Sequence, residues 1–239
     1  MPIRFTPLLA ASLAVFAGWY QLARFSTTPG VQASAPARFP SDADTIRAIP
    51  ASLTAGSEPR SPLLLVFIHP RCSCTPATLE QLDTILGSIR TPVQTDLVVY
   101  RSRVLDRAST AGDASLSLHA RARSQPVPHQ DPAPLSGFTN PLHHPAQVVP
   151  DTNGLLARRF GAATSGEVIL YSADGRLLYQ GGITPMRAST GESLASIALR
   201  RALVNGEAQS KTFNVFGCPI FTLPAQSGAQ PQRQSGRAG

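Results

Sequence analysis

LLLVFIHPRCSCTPATLEQL, residues 63–82, runs from six consecutive large apolar residues through His-Pro and two cysteines into a pattern of helical period. The apolar run 63–68 is short, rich in branched and aromatic residues and closed by His69-Pro70, which favours a buried strand over a helix. Thr75 can cap a helix whose first position is Pro76, where a missing N–H does no harm. Leu79, Leu82, Ile85, Leu86 and Ile89 then recur at helical spacing, so one face is apolar and can lie on a sheet. Cys72 and Cys74 therefore fall at a strand-to-helix junction.

Further along, residues 96–101 (DLVVYR) read as a second strand after a short loop, and strand–helix–strand is the pattern of a parallel crossover. Residues 104–145 hold several prolines, four of the five histidines and little periodicity. They are expected to form an irregular insertion, with a helix possible over 114–123. Residues 146–151 read as a short strand and GLLARRFG as a short helix ending at Gly161. GEVILYSADGRLLYQGG reads as a hairpin turning at Asp174-Gly175. Residues 191–206 predict a last helix closed by a glycine. The polar residues 222–239 predict a disordered tail. Residues 61–221 are thus expected to form one α/β domain, for which the length of 239 residues and a hydrophobic fraction of 42% suffice.

Ahead of this domain, the 19 residues between Arg4 and Arg24 carry no charge. As a helix of about 1.5 Å rise per residue they would span about 28 Å, close to the hydrocarbon thickness of a bilayer. Trp19 and Tyr20 suit the headgroup level, and Arg4 favours a cytoplasmic N-terminus. Residues 1–25 are expected to be a transmembrane anchor of the inner membrane, or a signal sequence cleaved near Ala33-Ser34-Ala35. Either places the domain in the periplasm or outside the cell, where disulfides persist. Residues 26–60, rich in Ser, Thr, Pro and Ala, are expected to be a flexible tether. The formal charge is +7, with Lys211 the single lysine among 21 basic residues. No run of like charge and no interleaving with aromatics points to nucleic acid.

The order strand, cysteine pair, helix, strand, then helix, hairpin and terminal helix resembles the thioredoxin fold. LLLVFIHPRCSCTPATLEQL resembles its cysteine segment, and FGAATSGEVILYSADGRLLYQGGI its second half. HPRCSC, FGAATSG, GGIT and VFGCPI together resemble bacterial membrane-anchored thioredoxin-like proteins labelled RedB. The resemblance covers residues 60–221. It implies a central mixed sheet flanked by helices, with Cys72 as attacking nucleophile and Cys74 as resolving thiol. Two features differ from thioredoxins. The cysteines are separated by one residue rather than two, and Ser165-Gly166 stands where a cis-proline is expected.

A thiolate attacks disulfides, and a helix N-terminus stabilises it. Arg71 is expected to add positive charge beside the pair, and His69 to supply a proton or, when charged, further support. Cysteines two residues apart have Cα atoms about 5.5 to 7 Å apart, and the short ring restricts the bond's preferred dihedral, so a Cys72–Cys74 disulfide should be strained and oxidising. Cys218, in NVFGCPIF, is either a buried small hydrophobe or an unpaired thiol that approaches the pair to form an alternative disulfide. The expected function is thiol–disulfide exchange with protein thiols or disulfides of the extracytoplasmic space, with Cys72, Cys74 and Cys218 as site residues and no cofactor. It requires accessible sulfurs. The same cysteines with His69 are also a donor set for Cu(I), so a copper-binding assembly factor is an alternative. A redox-inert binding module is another. His143-His144 reads as a solvated turn, and the glycines of GGIT as strand-ending or close-approach positions.

Overall fold

The computed structural model describes residues 6–40, 61–102, 140–209 and 211–221, with nothing said of the side chains of residues 6–10. The insertion expected at 104–145 lies mostly outside the described residues, as do residues 41–60 and the tail 222–239.

The elements run α1 (Thr6–Thr27), β1 (Leu63–Ile68), α2 (Thr75–Gly87), β2 (Gln94–Arg101), β3 (Gln147–Thr152), α3 (Leu155–Arg159), β4 (Glu167–Tyr171), β5 (Leu177–Gly181) and α4 (Leu194–Asn205). Five strands form one mixed sheet in the order β3-β2-β1-β4-β5. β1 pairs in parallel with β2, and β2 with β3. On the other side β4 is antiparallel to both β1 and β5. A mixed sheet of this order flanked by helices is consistent with a thioredoxin-like fold.

β1 is central and all six of its residues are buried, which is why it reads as a continuous apolar run. Its side chains alternate between two cores. Leu64, Val66 and Ile68 meet Leu82 and Ile85 of α2 and Leu199 of α4. Leu63, Leu65 and Phe67 meet Leu156 of α3 and Phe160. Pro150 is tolerated in β3 because that strand lies at the sheet edge. The hairpin turns as expected, with Gly175 at φ +76°. α4 begins in a capping box at Ser193 and Ser196 and ends at Gly206 in the left-handed conformation.

Residues 28–40 correct the reading of a flexible tether, for they lie along the domain as a strap. The Gly30 N–H donates to Val215 O (2.8 Å), Ala33 N–H to Gly161 O (3.0 Å), and Phe39 N–H to Gly175 O (2.8 Å). The Phe39 ring packs against Phe160 and edge-on to Tyr171. Composition concealed this because backbone groups and the small buried Ala35 make most of the docking.

The uncharged N-terminal stretch is helical, and its large side chains, among them Phe16, Trp19 and Phe25, are exposed. Among the described residues no helix is long and apolar enough to cross a membrane.

Candidate redox site at the strand-to-helix junction

After β1 the chain winds directly into α2: Cys72 N–H donates to His69 O and Thr75 N–H to Cys72 O, each at 3.0 Å. Cys74, not Thr75, is the N-cap of α2, and Pro76 occupies its first turn. Thr75 instead donates its hydroxyl to His69 O (3.3 Å) and lies 3.3 Å from Ser165 Oγ.

Two further segments close on the junction. Residues 163–165 precede β4, and the Ser165 hydroxyl accepts the His69 N–H at 2.9 Å. Gly166 follows at φ +92°, which favours glycine, and the described residues contain no cis peptide. Against these residues runs the arm that carries Cys218. Ser165 N–H donates to Cys218 O (2.8 Å) and Ile220 N–H to Ala163 O (2.9 Å). Gly217 explains how the arm fits, because a Cβ there would overlap the Ser165 carbonyl oxygen.

This arm brings Cys218 to Cys72: its backbone N–H points at the Cys72 sulfur, at 3.3 Å. The three cysteines therefore converge, and none is bonded to another. Burial pushes the Cys72 thiol up. That effect is outweighed by the backbone N–H groups of Cys218 and Cys74 and by side-chain hydrogen bonds from Cys218 and Ser165, which hold Cys72 below its ordinary value. Burial and then the negative charge of Cys72 push Cys74 up. Burial and the hydrogen bond to Cys72 push Cys218 up to about 11. The arrangement favours ionisation at Cys72 and opposes it at both neighbouring thiols.

Several sequence expectations change here. Cys72 and Cys74 are 3% and 4% exposed, so the pair is not openly accessible, while Cys218 is half-buried. Cys72 does line a cavity of about 460 Å³, bounded also by Pro70, Pro76, Leu79, Asp83 and His143. His69 is no source of positive charge: burial and then Arg71 lower its pKa, and its ring stacks on Tyr100. The guanidinium that bears on Cys74 and Cys218 is that of Arg187 rather than Arg71. The turn at His143-His144 is solvated at His143, as read, and both ring Nδ1 atoms bond the Asp83 carboxylate. Ser165 stands, as the resemblance placed it, beside the cysteines, whereas Arg187 carried no sequence signal for a role at this site. The glycines of GGIT do serve close approach, a Cβ on Gly182 reaching 2.5 Å from Asn214 O.

Gly217→Ala should force the arm away from Ser165. Overpacking of this kind costs about 1–3 kcal/mol. It should also withdraw the Cys218 N–H from Cys72, so urea unfolding is expected to show lower stability and alkylation at pH 7 a slower Cys72.

Among the described residues no group of three or more His, Cys, Asp and Glu side chains is arranged to hold a metal ion. No family model matches the chain, and no curated protein matches it. Among solved structures it is similar to an uncharacterized conserved protein from Geobacillus kaustophilus, with 14% identity, TM-score 0.46, and 84% of this chain and 96% of that one covered. A hypothetical protein from Sinorhizobium meliloti 1021 gives 19% identity and TM-score 0.44 over 83% and 97% of the two chains. A secreted Mycobacterium tuberculosis disulfide oxidoreductase homologous to E. coli DsbE gives 14% identity and TM-score 0.31 over 60% and 80%. These likenesses are weak, and the fold reading rests on the strand order and pairing of this chain.

Proposed function

We propose that the protein is a thiol–disulfide oxidoreductase of RedB-like type, held at the inner membrane through its N-terminal segment with its domain facing the periplasm or cell exterior. Its partners are protein thiols or disulfides. The observation that carries this reading is the convergence of Cys74 and Cys218 on a Cys72 sulfur that backbone N–H groups stabilise. The Cys72 thiolate attacks a partner disulfide, whose S–S bond breaks to a mixed disulfide and a released thiolate that takes a proton. Cys74 or Cys218, once deprotonated, attacks the Cys72 sulfur and releases the second partner thiol. Two protein thiols become one disulfide, and the partner disulfide becomes two thiols; partners of higher thiol content drive the reverse.

The test is equilibration of the full-length chain, in detergent, against a series of glutathione redox buffers, with free thiols counted by mass after acid quenching. A single two-electron transition at Cys72 is expected. Thiols that stay unchanged across the series would leave a redox-inert module. Tight stoichiometric uptake of Cu(I) under anaerobic conditions, with no redox transition, would replace exchange by copper delivery.

A further inference from the structure

Arg187 lies in the loop between β5 and α4, far in sequence from every cysteine, yet it joins three segments at the redox site. Its Nη1 donates to Gly217 O (2.5 Å), its Nε to Phe25 O (3.1 Å) and its Nη2 to Thr28 O (3.3 Å). Its backbone N–H donates to Ser26 O (3.1 Å), and its guanidinium lies 4.9 Å from the centre of the Phe25 ring. A planar fork with five N–H donors can serve several carbonyls at once, which an ammonium on a flexible stem does poorly.

The next residue points the other way. Ala188 has φ +50°, a region that L-residues with a Cβ rarely adopt. Its backbone N–H favours the ionised form of Cys74, against the burial that pushes that thiol up. Strain of this kind persists where surrounding contacts over-determine it. Arg187 fixes the Gly217 carbonyl, and with it the Cys218 arm.

We propose that Arg187 is a positioning residue that selects Cys218, rather than Cys74, as the disulfide partner of Cys72, and that it makes this choice depend on the docked end of α1. The proposal rests on the exchange function above. Two features favour the long-range bond. The Cys72–Cys74 ring is short and restricts the dihedral a disulfide prefers, whereas the Cys218 arm is already laid beside Cys72 by its hydrogen bonds to residues 163–165. Releasing Gly217 from Arg187 frees one end of that arm and lowers the effective concentration of the Cys218 thiol at Cys72. Arg187 touches no reacting atom, so its effect is on which bond forms.

The test uses the full-length chain in detergent, oxidised by glutathione disulfide, each protein disulfide formed being balanced by two reduced glutathiones. Peptide mapping gives the ratio of Cys72–Cys218 to Cys72–Cys74 bonds. The wild type is expected to favour Cys72–Cys218, and Arg187→Gln to lower the ratio about tenfold. Arg187→Lys keeps the charge but loses the fork, so it should fail to restore the ratio. The pH profile of Cys72 alkylation in Arg187→Gln should move to higher pH as the Cys218 N–H withdraws. Cooperative urea unfolding identifies the variants that fold, and either one suffices to decide. An unchanged ratio in a folded variant, or full restoration by lysine, overturns the proposal. A wild type that exchanges nothing with glutathione instead overturns the exchange function on which it rests.

Discussion

Serine at position 72 is expected to reduce the rate of exchange with a peptide disulfide at pH 7 by about a hundredfold or more, because the reactive species is the thiolate. Cys72 alone of the three thiols lies below its ordinary value, while Cys74 is raised and Cys218 stands at about 11. A thiol of pKa about 11 is ionised to about one part in ten thousand at pH 7. Removing the Cys72 charge relieves part of that elevation, but burial, the first cause at both positions, remains. Neither survivor can take over as a fast nucleophile. The two flanking replacements should behave differently from Cys72→Ser. Cys218→Ser and Cys74→Ser both keep the attacking sulfur, so their first step should run at near the wild-type rate. The variant lacking the resolving thiol should accumulate a mixed disulfide, visible by intact mass as one partner attached at Cys72. Accumulation in Cys218→Ser but not in Cys74→Ser is the result consistent with the arm geometry. Retention of the wild-type rate in Cys72→Ser would show that another sulfur initiates exchange.

The parts of this site that were legible in the sequence are those built from neighbours. The apolar run of β1, the helical spacing of α2 and the Asp174-Gly175 turn each encode their conformation within a few residues, so pattern and turn chemistry sufficed. The final helix was equally local, with Gly206 marking its end. Convergence of Cys218 on Cys72 stayed open because it depends on contacts between positions 146 residues apart. Its local cue, glycine beside cysteine, is explained by the contact with Ser165 only after the arm is docked. The strap was misread for a related reason. Its bonds go from backbone to backbone or to single polar side chains: Gln180 Nε2 donates to Ala33 O (2.6 Å) and its Oε1 accepts the Ala35 N–H (2.9 Å), while the Thr164 and Tyr171 hydroxyls donate to Val31 O (2.7 Å) and Pro36 O (3.0 Å). Such bonds leave no hydrophobic period to count. Accessibility failed differently: the thiols are covered by turns and loops whose approach a strand–helix pattern does not specify. Arg187 shows the limit most plainly, since an arginine in a loop reads as solvated until three carbonyls are found around it.

The strap also covers the most perturbed carboxyl group that faces it, and this yields a large effect on stability. Glu167 begins β4 opposite Phe67 and is fully buried. Its Oε1 accepts hydrogen bonds from Gln180 Nε2 (2.9 Å) and Gln32 Nε2 (3.3 Å), while Oε2 has no partner among the described residues. Burial pushes its pKa up to about 7 from an ordinary 4.5, against the lowering effect of those two amides. A folded-state value above the unfolded one means that the native protein binds the proton more tightly. The stabilisation from protonated Glu167 is thus complete below about pH 4.5 and is lost as pH rises through about 7. At about 1.4 kcal/mol per pH unit, the loss is on the order of 3 kcal/mol by pH 8. Buried Asp96, raised to about 6, acts in the same direction. The protein should therefore lose stability between pH 5 and 8, whereas domains with salt-bridged carboxylates gain it on leaving acid. Glu167→Gln removes the ionisation and retains an oxygen to accept the Gln180 and Gln32 amides. It should be more stable than the wild type at pH 8 by about 2–3 kcal/mol and near equal at pH 5, as urea unfolding at the two pH values can measure. The remaining slope of the variant should then reflect Asp96 offset by His69, whose lowered pKa acts in the opposite direction. A wild type whose stability rises through this range would mean that Glu167 ionises with its charge satisfied, and that the strap is no barrier to solvent there.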